Sequence, residues 1–133
     1  MKTALPVALT ARLNLKPKDI AEIGGFSLRF AQALAAGKVA FPSDVVTALE
    51  QIDGDLHTMT KDILGDLTPQ QEAFNIFRTN EELREHCRKQ HPYWMARGQS
   101  NGPFVGPHRV ATYYAWRVLK KQHMGWRDIV FHP

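Results

Sequence analysis

Arg29 and Gln32, set three residues apart, are the side chains in this sequence whose types and spacing best suit a specific chemistry. On a helix that spacing brings both to one face. A guanidinium can donate two hydrogen bonds to guanine O6 and N7, and a carboxamide can pair in the same two-point way with adenine N6 and N7. Ser27, Leu28 and Ala33 belong to the same outward side, while Lys16, Lys18 and Lys38 stand around it with ammonium groups suited to phosphates. Taken singly, each residue also fits the solvated face of a small helical bundle. The joint pattern is what points to a nucleic-acid duplex.

Other reactive side chains form no comparable set. His86, Cys87 and His91 offer two imidazoles and one thiol, whereas a structural zinc site usually takes four ligands and often several cysteines. Adjacent helical residues point apart, so Cys87 and a neighbouring histidine make no nucleophile–base dyad. His108, His123 and His132 are scattered, and neither a glycine-rich phosphate loop nor a His-Glu-x-x-His run is present. The chain is therefore expected to have no catalytic residues, no metal and no cofactor, and not to be an enzyme.

Two helices have to hold the Arg29 face in place. Pro17 sits near the start of the first, with Asp19 and Glu22 in or near its first turn; it runs to about Ile23 and Gly24-Gly25 ends it. Ser27 is a good N-cap for the second, Leu28 to Ala36, which Gly37 stops. Ala21 must be small where the two helices approach most closely. Gly25 makes the turn, and Phe26, Ala31 and Leu34 seal the angle, as in a helix-turn-helix. Gly24 occupies a position that is usually apolar, so Ile23 is expected to take over its contact.

Around this unit, residues 3–13 have helical composition, with Leu5, Leu9 and Leu13 as the apolar face. Ser43 is a candidate cap for the long helix 44–64. There Val45, Leu49, Ile52, Leu56, Met59 and Ile63 recur at spacings of 4, 3, 4, 3 and 4, a lengthwise packing seam. The seam fits the chain's own C-terminal half and a second copy equally well. Gly65 to Gln70 reads as a linker and residues 73–78 as a short strand. Thr79 and Glu82 have capping-box spacing, opening a helix to about Lys89. Residues 91–107, rich in Gly and Pro, read as a long irregular loop; a last helix spans about Pro107 to Met124, and Trp126 to Phe131 as a terminal strand.

The 133 residues favour one domain or two small modules sharing an interface, 1–66 and 67–133. The formal charge of +4 is uneven. Residues 1–42 carry six bases and two acids, residues 43–66 one base and six acids, and residues 67–133 ten bases and five acids. Two basic modules around an acidic connector fit a polyanion partner. No window is long and apolar enough for a membrane span, and no small-residue cleavage site follows the short apolar start. A cytoplasmic location without a membrane partner is expected, and the single cysteine excludes an intramolecular disulfide.

Residues 25–45 resemble the Cro/repressor (Xre-type) helix-turn-helix. More narrowly, they are similar to the anti-CRISPR-associated regulators of phages and mobile elements. Those have an apolar-Ser-x-Arg-x-x-Gln recognition helix, then Gly-basic, then Pro-x-Asp-Val opening a long helix. The matching residues are Phe26, Ser27, Arg29, Gln32, Gly37, Lys38, Pro42, Asp44 and Val45. Leu34-Ala35 departs from the family's frequent aromatic-Glu pair. The resemblance implies base reading by Arg29 and Gln32 and a repressor of its own operon. It also implies a mainly α fold, in which an N-terminal helix-turn-helix bundle precedes a small α+β C-terminal dimerisation module.

A homodimer is expected on physical grounds too, since one small helix-turn-helix reaches few bases. Two copies would read half-sites ~34 Å apart in an inverted repeat of double-stranded DNA. Candidate dimer surfaces are the seam (Leu49, Ile52, Leu56, Met59) and the aromatic residues Tyr113, Tyr114 and Trp116. Two rival readings remain at this point. The basic and aromatic mixture of Arg78, Arg84, Arg88, Lys89, Tyr93, Trp94, Arg97, Arg109, Lys120 and Lys121 fits an RNA-binding regulator. An antitoxin-like protein wrapping a partner toxin is the other.

Overall fold

Helical periodicity governs most of the chain. The computed structural model, which describes residues 4–66, 73–95, 102–121 and 128–133, is mainly helical with a two-stranded parallel sheet. The elements are α1 (Ala4–Arg12), α2 (Pro17–Gly24), α3 (Leu28–Ala35), α4 (Ser43–Gly65), β1 (Ala73–Ile76), α5 (Asn80–Gln90), α6 (Pro92–Met95), α7 (Val105–Lys121) and β2 (Asp128–Phe131). Residues 67–70 of the expected linker, residues 96–101 of the expected loop, and residues 122–127, which include the expected end of the last helix and the start of the last strand, lie outside the described residues. No helix among the described residues is long and apolar enough to cross a membrane.

The α1 face differs from the Leu5–Leu9–Leu13 expectation. Leu5 is 67% exposed, and the buried stripe is Pro6, Thr10 and Leu13. Thr10 tolerates burial because its Oγ1 donates to the Pro6 carbonyl at 2.8 Å. Between α2 and α3 the chain turns through Gly25 in the left-handed region, φ 69°. A Cβ on Gly24 would overlap the Phe26 ring, so Phe26 covers the place that an apolar side chain before the turn would occupy. Ile23 instead packs partly buried against the main core. At the far end of α3 the Gly37 amide donates to Leu34 O and the Lys38 amide to Ala33 O, both at 3.0 Å. These are the two bonds of a Schellman cap, with Gly37 at φ 74°.

Helix α4 is the spine. Val45, Leu49, Ile52, Leu56 and Met59 are all buried, and α7, α1 and α2 pack against α4. The 3.5-residue seam is therefore satisfied within the chain, which corrects its assignment as a dimer surface. Ser43 is the first helical residue rather than the cap, a position taken by Pro42. Thr79 Oγ1 accepts from the Glu82 amide at 3.2 Å and starts α5 as its spacing predicts. Part of the expected 91–107 loop is ordered as α6, and α7 begins two residues before Pro107.

β1 and β2 pair in parallel, Ala73 opposite Asp128 through Ile76 opposite Phe131. One core joins residues from both halves, from Leu13, Ile20 and Leu34 to Phe77, Leu83, Cys87 and Phe104. The 66/67 boundary does not separate two cores. Buried polar bonds reinforce the junction. Asn80 Nδ2 donates to Asp19 Oδ1 at 2.9 Å, and Asn80 Oδ1 accepts from the Val105 amide at 2.8 Å. Gly106 lies so close to the α1–α2 connector that a Cβ would overlap the Asn14 carbonyl.

Candidate nucleic-acid interface

Helix α3 is amphipathic in the sense its spacing requires. Ala31 and Leu34 are fully buried, while Arg29 and Gln32 are exposed and Ala33 is half-buried between the two sides. Among the described residues, neither the Arg29 nor the Gln32 side chain makes a hydrogen bond or ion pair. Leu28 is 51% exposed at the leading end of the helix. Ser27 caps it: Oγ accepts from the Phe30 amide at 3.2 Å, which leaves the hydroxyl proton free to donate outward. Phe26 and Phe30 meet edge to face at 4.9 Å and stiffen this end of the helix.

Electrostatics around α3 are set by where the acids go. Residues 1–42 contain only Asp19 and Glu22 as acids. Asp19 is 2% exposed, and its Oδ2 accepts from the Lys16 amide at 2.9 Å while its Oδ1 is held by Asn80. Glu22 grips Arg84 through two bonds of 3.1 and 2.7 Å. Both carboxylates are thus drawn toward the C-terminal half. Lys16, Lys18 and Lys38 are exposed, the first at the N-cap of α2, the second in its first turn and the last in the Schellman cap of α3. Arg12, by contrast, pairs with Asp53 at 2.9 Å.

The C-terminal residues named for RNA binding do not form one surface. Arg84 is 6% exposed and also donates to the Pro103 carbonyl at 3.1 Å, beneath the Phe104 ring. Trp94 is 4% exposed, its Nε1 donating to Asp62 Oδ2 at 2.9 Å. Arg109 donates inward to the Phe77 carbonyl at 2.7 Å. Arg78 is exposed beside the Phe131 ring, and Arg88 pairs with Glu85 on its own helix. Lys89, Lys120 and Lys121 are exposed; Arg97 and the Tyr93 side chain lie outside the described residues.

Of the aromatic dimer candidates, Tyr114 is engaged within the chain, its hydroxyl accepting from Arg12 at 3.2 Å. Tyr113 is 47% exposed and stacks on Trp116 at 5.9 Å, with Arg117 and Lys120 over the two rings. Val130 and Phe131 on β2 are also exposed, at 41% and 45%. Sequence reasoning did not single these two out, because a four-residue strand gives too few positions to reveal which face is covered.

Cys87 is fully buried, and burial pushes its thiol up to about 12. A buried neutral thiol is a weaker nucleophile and metal ligand than a thiolate. No protein-family model matches the chain, and no curated protein does.

Proposed function

We propose that this chain is a sequence-specific DNA-binding repressor that acts as a homodimer on an inverted-repeat operator. Helices α2 and α3 form its helix-turn-helix, and α3 enters the major groove. Arg29 and Gln32 read base edges, Ser27 contacts a base beside them, Leu28 and Ala33 meet thymine methyl groups, and Lys16, Lys18 and Lys38 hold the backbone. The observation that carries this reading is the exposed Arg29–Gln32 face of α3, whose side chains have no partner among the described residues, with Lys16, Lys18 and Lys38 also exposed and both nearby acids bound inward.

With the α4 seam buried, the dimer contact is assigned to the outer face of α7 around Tyr113 and to β2 at Val130 and Phe131. The resemblance of residues 25–45 to anti-CRISPR-associated regulators supports autoregulation of a phage or mobile-element operon. A gel-shift titration on the DNA upstream of its gene tests the reading. Arg29→Ala should lose about 1–3 kcal/mol on the operator and little on scrambled DNA. Lys38→Ala should weaken both about equally. Identical losses on both DNAs for Arg29→Ala would remove it as a base reader.

A further inference from the structure

The two strands have unlike outer edges. On the β1 side the Phe77 carbonyl accepts from Arg109 at 2.7 Å, and α7 packs against the strand. On β2, Phe131 stands opposite Ile76, and the His132 amide donates to the Ile76 carbonyl at 2.7 Å. Backbone groups alternate sides along a strand, so Asp128, Val130 and His132 direct theirs toward β1 while Ile129 and Phe131 direct theirs outward. Among the described residues nothing bonds to those outward groups of Ile129 and Phe131. Val130 and Phe131 are exposed as well, and no lysine or proline blunts the strand. Such an edge is a template for one more strand.

We propose that this edge is closed by β2 of a second copy, running antiparallel in the register that sets Val130 opposite the partner's Val130. The inference rests on the proposed homodimer and not on DNA recognition. A two-fold axis makes the paired strands antiparallel. Outward groups must face outward groups, so Ile129 and Phe131 meet each other or their own copies. The register centred on Val130 pairs both. It sets Ile129 against the partner's Phe131 and Asp128 against the partner's His132. The first is an apolar pair on one face of the sheet. The second brings an exposed carboxylate, without an ion pair among the described residues, to an imidazole that can donate to it. Arg78, which donates to the His132 carbonyl at 3.4 Å, adds a cation at the same end of the strand. A strand of unrelated sequence would have to reproduce this match, whereas β2 supplies it to itself.

The test is disulfide cross-linking of the full chain without DNA, so loss of base reading would leave its outcomes untouched. Opposed Cα atoms in antiparallel strands lie about 4.5–5.5 Å apart, within disulfide reach, and diagonal ones about 7–8 Å, outside it. Val130→Cys should therefore form a linked dimer under mild oxidation. Ile129→Cys or Phe131→Cys alone should not, but the two mixed should link to each other. The unaltered chain is the control, its Cys87 being fully buried. A dimer that Val130→Cys fails to link, or that Ile129→Cys alone links, would overturn the proposal and leave the homodimer standing. A chain that sediments as a monomer at every concentration would remove both. Hydrogen exchange needs no variant. The Ile129 and Phe131 amides should exchange about tenfold more slowly where about nine chains in ten are paired, since exchange then runs through the free tenth. Equal rates in the dimer and in the diluted monomer would contradict the pairing.

Discussion

Burial decides which individual residues matter for stability and which remain available for contact. The Arg84–Glu22 pair has an arginine side chain only 8% exposed, whereas Arg12–Asp53 is 51% and 37% exposed. Removing one partner of the first leaves a charge buried; removing one of the second leaves it in water. Glu22→Ala should therefore cost about 2–3 kcal/mol and Arg12→Ala less than about 1, read from urea midpoints. Equal losses would contradict this ranking. Cys87 provides a second residue-level expectation. With its thiol raised to about 12 and no exposed surface, it should resist iodoacetamide in the folded chain and react readily in urea. The types of Arg29 and Gln32 and their helical spacing were legible in the sequence, as was the small buried Ala31 behind them. The inward turn of Arg84 was not, because its partner Glu22 is 62 residues away and a basic residue looks the same on paper whether solvated or paired.

At the scale of elements, local signals set most boundaries and tertiary contacts set most faces. Gly25 and Gly37 end α2 and α3 where their backbone preferences place them, and Thr79 starts α5. The face of α1 could not be read from leucine spacing. Thr10 satisfies its own hydroxyl within the helix and so competes for the interior on equal terms with Leu5. The α4 seam was legible as a seam, but its partners are settled only by the packing of α7, α1 and α2 against α4. Gly24 is the element-level test of the turn. Gly24→Ala places a methyl in the volume of the Phe26 ring and should cost about 1–3 kcal/mol. Gly54→Ala, with open space around its Cβ, should be neutral or stabilising in the middle of α4. Thermal midpoints of the two variants check the contrast, and similar midpoints would mean that Phe26 does not fill the turn.

The charge pattern of the whole molecule is partly neutralised inside it. Within the acidic 43–66 stretch, Asp53 binds Arg12, Asp62 accepts from Trp94 and Asp66 pairs with His91, so three of its six acids are engaged within the chain. In the described N-terminal part Lys16, Lys18, Arg29 and Lys38 remain exposed. Burial of His108 and His86 should make folding depend on pH. Unfolded, His108 titrates near its ordinary 6.5; folded, it stays neutral down to about 3. Between those values the unfolded chain binds the extra proton. Stability should hold above about pH 6.5 and decline below it by up to about 1.4 kcal/mol per pH unit, with His86, also lowered by burial, acting in the same direction. Urea midpoints from pH 4 to 8 (roughly the range in which this linkage acts) check this, and His108→Phe should flatten the profile. Sedimentation tests the assembly: the unaltered chain should be a dimer, and Tyr113→Glu with Phe131→Glu should separate it.

The claim on which the function rests is that the exposed face of α3 reads sequence. Selection from a random duplex library measures this most directly, with the unaltered chain beside Arg29→Ala and Gln32→Ala. The account predicts an enriched inverted repeat with half-sites about one helical turn, ~34 Å, apart. Each variant should relax the preference at one base pair of each half-site. Failure to enrich any sequence, or an enriched repeat that both variants leave unchanged, would contradict it.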